Sequence, residues 1–239
     1  GVEQVDFDPP FILKGNVEEY FQDVQDNMVA SQKKRLSESS KDFAVNETRL
    51  DWLMLRHDKK DIKGLDRPKT PAQLIVFVSQ MSYCNETEKA LDKGGYKELA
   101  VYQEKQQKDL SDLVLTTRKK LSKADRQRIM VMITLDAHNR DILQELILEK
   151  VESKSQFQWS RQLRQAVDPD GSFIVCSFDA RFKYGYEYIG NGGRLVVTPL
   201  TDRIYCTCCQ AYNLKMGCAP AGPAGTGKTE TTKDLAFAL

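Results

Sequence analysis

Eight consecutive residues carry chemistry that can be read from type and spacing alone: Gly222, Pro223, Ala224, Gly225, Thr226, Gly227, Lys228 and Thr229. They fit G-x-x-x-x-G-K-[ST], in which glycines let backbone N–H groups close around the phosphates of a nucleoside triphosphate. A side chain at Gly222, Gly225 or Gly227 would obstruct that approach. Lys228 can reach the β- and γ-phosphates as a point charge, and the Thr229 hydroxyl can ligate the Mg²⁺ that neutralises them. Lys228 and Thr229 are therefore the catalytic candidates, with ATP or ADP and Mg²⁺ as the expected ligands. Glu230 to Leu239 reads as a helix whose N-terminal dipole and unpaired N–H groups face the anion. The bland alternative is a Gly-rich surface turn ahead of a helix, and it needs two glycines and a Lys-Thr pair to fall at this spacing by chance.

The elements that must position this loop are uneven in clarity. Before it only Gly217, Cys218 and Ala219 are available for a strand, short for a buried parallel one. A hydrolase of this kind also needs an acidic residue on a neighbouring strand and a group to orient water. Neither can be placed in the residues after Thr229. The chain is thus expected to be a piece of a longer polypeptide, binding nucleotide weakly and turning none over by itself.

Upstream, helical periodicity dominates. Apolar positions predict a helix over about 16–38, with Lys33-Lys34-Arg35 on a solvated face. A polar stretch follows, broken by the apolar block Leu50 to Leu55. Asp66 to Pro71 reads as a stop and restart, with Thr70 as N-cap and Pro71 as first helical residue. Residues 71–84 read as a buried helix, and Asn85 with Glu88 as a capping box opening another, interrupted at Gly94-Gly95. Two longer helices are expected over about 96–121 and 123–150, the second capped by Ser122. Short links between them imply a bundle.

The pattern changes near Gln156. Phe157, Trp159 and Leu163 suggest a docked helix, and Asp168-Pro-Asp-Gly171 a turn. Phe173 to Ser177, then Phe182, Tyr184, Tyr186 and Tyr188, alternate as half-buried strands do, and Asn191-Gly-Gly193 turns into a β-rich run over 194–198. Aromatics at this spacing are read as core rather than a base-stacking platform. A helix is expected over about 203–215. The fold class is mainly α: a helical bundle, a small β-rich segment, then the start of an α/β P-loop module.

Thirty-five basic and 34 acidic residues in 239 leave a net charge of +1, so nothing global favours nucleic acid or an anionic membrane. The 41% hydrophobic and 29% charged fractions suit a folded, helix-rich chain. No run approaches the ~20 apolar residues of a membrane span, and the first residues lack a signal pattern. Cys206, Cys208, Cys209 and Cys218 lack the repeated spacing and nearby histidine of a metal site, and with Cys84 and Cys176 read as free thiols. His57 and His138 are isolated and read as structural.

Residues 184–191 (Tyr-Gly-Tyr-Glu-Tyr-Ile-Gly-Asn), 194–203 and 222–231, with Lys233-Asp-Leu235, resemble the entry to the first AAA+ module of dynein heavy chains. The Tyr-Gly-Tyr-Glu-Tyr run looks axonemal. Val78-Ser-Gln80, Leu135 to Asp141 and Phe157 to Arg164 are similar to the C-terminal part of the dynein linker. Gln165-Ala166, Cys206 to Cys209 and Cys218 depart from the family pattern. The resemblance implies linker over 1–183 and a truncated first AAA+ module over 184–239, in a motor whose ATP hydrolysis swings the linker. It further implies Leu200 and Thr201 near the adenine, and Glu230 beside the phosphates. Implied partners are the rest of the heavy-chain ring, microtubules through a stalk, and intermediate and light chains, in the axoneme of a cilium or flagellum. A non-motor AAA+ remodeller with a helical N-terminal domain, and a helical scaffold with a vestigial P-loop, remain alternatives.

Overall fold

The computed structural model describes residues 3, 5–44, 49–50, 52–53 and 70–239. His57, Asp66 to Lys69, and Asp51, Met54 and Leu55 of the apolar block lie outside the described residues.

Helix α1 runs Val17–Ala44, longer than its apolar spacing predicts. Lys33 and Lys34 are solvated as expected, but Arg35 is buried and its guanidinium donates to the Asp6 carbonyl at 2.5 Å. Trp52 and Leu53 of the apolar block are buried. Trp52 packs edge-on against Phe43 and donates its indole N–H to Asp42 at 3.1 Å, while Arg49 forks onto the buried Asp136 at 2.7 and 2.9 Å.

Helix α2, Ala72–Gly94, is the central pillar and packs on α1, on the two helices that follow and on the first strand. Its first ten residues are all buried, as an all-round apolar sequence requires. Thr70 is buried, and Pro71 sits at the cap position rather than inside the helix. The Glu3 carboxylate reaches the helix start and accepts the Ala72 N–H at 2.8 Å. The expected break at Asn85 does not occur. Tyr83, Cys84, Thr87 and Leu91 continue one buried face, so tertiary burial outweighs the local preference of Asn for a cap. Glu88 is not a capping residue; it accepts the Trp159 indole N–H at 3.2 Å and pairs with Arg164 at 3.1 Å.

Only Gly95, at φ 60°, separates α2 from α3, Tyr96–Thr116, and a Cβ there would meet Glu152 Cα at 3.0 Å. Helix α4, Lys123–Leu148, starts at Ser122, whose hydroxyl accepts the Asp125 N–H at 3.1 Å. One helical turn, α5 (Phe157–Ser160), docks the fully buried Trp159 but leaves Phe157 exposed.

A three-stranded antiparallel sheet follows: β1 Arg164–Val167, β2 Phe173–Ser177 and β3 Ala180–Lys183, in that order. The Asp168 to Gly171 turn joins β1 to β2, with Val167 opposite Phe173. Sequence periodicity gave no signal for β1. The expected strands over 184–198 are absent. Tyr184 and Tyr186 are buried while Gly185 and Glu187 are exposed, so alternation survives, but Tyr186 sits at φ 54° and, among the described residues, no strand runs alongside. Side chains satisfy this backbone instead: Gln73 donates to the Glu187 carbonyl and the Tyr184 hydroxyl at 2.8 Å each and accepts the Ile189 N–H at 2.9 Å. Helix α6, Pro199–Asn213, begins four residues earlier than expected, capped by Thr198, and α7 spans Lys228–Ala238. Residues 217–219 before the loop form no strand. Among the described residues, no helix is long and apolar enough to cross a membrane.

Candidate phosphate-binding site

The loop over 222–227 is exposed throughout. Gly225 and Gly227 lie at φ 77° and 80°, the left-handed region where a Cβ is strained, and Gly227 caps α7. The first backbone bond of α7 runs from Thr231 N–H to the Gly227 carbonyl at 2.9 Å, reinforced by the Thr231 hydroxyl at 2.9 Å. The amides of Lys228, Thr229 and Glu230 thus have no backbone acceptor and lie at the positive end of the helix.

Lys228 folds back across the loop. Its ammonium donates to the Gly222 carbonyl at 2.8 Å, to the Pro223 carbonyl, and to Thr226 Oγ1 at 3.3 Å. All three N–H groups are therefore held by loop oxygens, in a position an incoming anion can take over. Thr229 is exposed one residue on, and Glu230 pairs with Lys233 at 3.1 Å on the outer face. Exposed amides, one ammonium and one exposed hydroxyl form a donor set suited to a phosphate with its metal.

The back of α7 is wired into the preceding segment. Thr231, Asp234, Leu235 and Ala238 form its buried stripe. Asp234 pairs with Arg194 at 3.0 Å, accepts the Tyr205 hydroxyl at 2.7 Å and the Leu195 N–H at 3.3 Å. Arg194 also lies over the Phe237 ring at 5.0 Å, and Gly185 N–H donates to the Leu239 carbonyl at 3.2 Å. Burial, with the Asp234 carboxylate second, pushes the Tyr205 hydroxyl well above its ordinary range. A carboxylate on the apolar stripe of a helix was the signal for this anchor, and spacing did not reveal its partners.

Leu200 and Thr201 sit in the first turn of α6. Leu200 is exposed, and Thr201 is buried with its N–H held by Thr198 Oγ1 at 3.3 Å. Neither makes a hydrogen bond to the loop. One residue on, Asp202 faces His138 of α4 at 3.5 Å, so the isolated histidine joins the bundle to α6. Beside this pair a cavity of about 80 Å³ is lined by Gln80, Asn139, Arg194 and Tyr205. All six cysteines are free, and among the described residues no group of three or more His, Cys, Asp or Glu is arranged to hold a metal ion.

Comparison with known proteins finds relatives of this sequence. The profile of the hydrolytic ATP binding site of the dynein motor region matches residues 184–239. The dynein alpha chain of the flagellar outer arm of Chlamydomonas reinhardtii is 43% identical across 100% of this chain. This chain is a homologue of axonemal dynein heavy chains. The ciliary dynein beta chain of Heliocidaris crassispina is 39% identical and human dynein axonemal heavy chain 9 is 38% identical, each across 99% of the chain. The present dynein homologue spans about 5% of the length of each of these relatives.

Proposed function

We propose that residues 222–229 hold the phosphates of ATP in the first AAA+ module of an axonemal dynein motor, and that this chain joins that module to the linker. The observation that carries the reading is Lys228 lying across a glycine loop beside three amides without backbone acceptors, inside the segment that matches the dynein ATP-site profile. Lys228 takes the β- and γ-phosphates, Thr229 the Mg²⁺, and the amides of 228–230 the remaining phosphate oxygens. The nucleotide supplies the phosphoryl group whose hydrolysis drives the motor.

Residues 1–183 act as the C-terminal part of the linker and 184–239 as the start of the module. Two contacts make coupling between them physically reasonable. His138 faces Asp202 across the bundle and α6, and Gln73 holds residues 184–189. Any change at α7 reaches these through Asp234 and Tyr205, and differential contacts in two states are what such coupling requires. By analogy with their relatives, these residues work on microtubules in the axoneme, with the rest of the heavy-chain ring and with intermediate and light chains. Leu200 and Thr201 are assigned to the adenine on the same analogy.

Replacing Lys228 with Ala in the full-length heavy chain is expected to abolish microtubule-stimulated ATP turnover. Unchanged turnover would refute this loop as the motor's main site.

A further inference from the structure

We propose that Cys208 and Cys218 form a reversible disulfide under hydroperoxide, clamping the approach to the phosphate loop onto α6. The Sγ atoms stand 3.2 Å apart, and both residues are free thiols. A covalent S–S bond is about 2 Å long, so closure asks for movement of roughly an ångström. Cys218 is exposed in the segment between α6 and the loop, where small movements are unopposed by core packing. Cys209, one residue from Cys208, is buried against Tyr205 and Leu235 and is removed from this reaction.

The chemistry balances with the hydroperoxide as oxidant. The exposed Cys218 thiolate attacks a peroxide oxygen; an S–O bond forms, the O–O bond breaks, and the departing oxygen takes a proton as water or alcohol. The Cys208 sulfur then attacks the sulfenic sulfur. The S–S bond forms, the S–O bond breaks, and hydroxide leaves with the Cys208 proton as water. The two sulfurs together lose two electrons, and the peroxide gains them. Burial, with Cys218 beside it, raises the Cys208 thiol, so the exposed Cys218 is the sulfur that meets the peroxide first.

The consequence rests on the phosphate-loop reading above. Cys218 lies four residues before Gly222, whose carbonyl now holds the Lys228 ammonium. Phosphate must take that ammonium over, which reshapes the loop at Gly222. A covalent tie just upstream opposes the reshaping, so oxidised protein binds nucleotide more weakly.

The test uses the full-length chain, with differential alkylation before and after hydrogen peroxide, then tryptic mapping. Trypsin cuts after Arg203, Lys215 and Lys228, so the two thiols fall in separate peptides, 204–215 and 216–228. The expected result is a linked pair of these peptides, two hydrogens lighter than their sum, assigned by fragmentation to Cys208, released by dithiothreitol and absent from Cys218→Ser. Oxidation of Cys218 to sulfinic acid without a link, or a link to Cys206 or Cys209, overturns the proposal. Affinity for a fluorescent ADP is expected to fall about fivefold or more on oxidation, the lower end of ordinary coupling between sites, and not in Cys218→Ser. A link with unchanged affinity overturns the clamp. Failure of the reduced chain to bind the nucleotide overturns the phosphate-loop reading and the clamp with it, while the disulfide is still decided by mass.

Discussion

The Tyr205 hydroxyl donates to the Asp234 carboxylate at 2.7 Å, joining the helix that follows the glycine loop to the helix before it. The same carboxylate holds Arg194, and both side chains of that pair are more than nine-tenths buried. One acidic residue thus fixes how α7 sits against residues 194–205.

Removing that carboxylate leaves a guanidinium and a hydroxyl buried without their acceptor. Breaking a buried pair by deleting one partner costs about 3–5 kcal/mol. Asp234→Ala is therefore expected to lower the free energy of unfolding by an amount in that range. A loss under 1 kcal/mol in urea unfolding would show that the carboxylate is not the anchor of α7.

Gly227 tests the loop geometry separately from its chemistry. Its added Cβ meets nothing within 4 Å, so the cost of Gly227→Ala is the left-handed backbone alone, about 1–2 kcal/mol. Gly227→Asn should cost less, because Asn tolerates that region. Equal losses for the two variants, read by thermal unfolding, would mean that φ at Gly227 is not the constraint.

His138 makes the bundle's contact with α6 sensitive to acid. Burial lowers its pKa from 6.5, outweighing Asp202, Asp141 and Glu145, which pull the other way. The folded state therefore binds fewer protons at this site than the unfolded one, so this contribution to stability is complete above about 6.5 and is lost as pH falls below it. Asp202 is shifted upward from 3.8, mainly by burial, so its contribution has the opposite sign, present below 3.8 and lost as pH rises above it. The melting temperature should drop between pH 7.5 and 5.5 in the native chain and drop less in His138→Gln. An identical drop in both would remove His138 as the cause.

Gln73 offers a local readout. Its amide serves the Tyr184 hydroxyl, the Glu187 carbonyl and the Ile189 N–H, so Gln73→Ala leaves three polar groups short of a partner at about 1–3 kcal/mol for each that stays buried. Hydrogen exchange of the Ile189 amide should accelerate well beyond that of amides in α4. Unchanged protection would mean that another contact holds this segment.

Much of the architecture was legible along the chain. The long helices, the Ser122 cap, the Gly95 break and the Asp168 to Gly171 turn follow from local chemistry, and the structure has them. The misreadings share one cause. Asn85 and Glu88 look like a helix start, yet Tyr83, Thr87 and Leu91 need one continuous face against the bundle. Tyr184 to Tyr188 alternate like a strand, yet α2 rather than another strand meets their backbone. Arg35 looks solvated among lysines, yet Asp6 covers it.

The residue order by itself determined the candidate loop: glycines where φ turns positive, a lysine and a threonine at the helix start. These depend on neighbours within a few residues, which spacing reports. Tertiary structure alone decided that Asp234 holds Arg194 and Tyr205, that Gln73 replaces a missing strand, that His138 meets Asp202, and that Cys208 lies against Cys218. A hydrogen bond or a thiol contact acts only within about 3–4 Å, and which distant residues come that close is settled by how the helices pack.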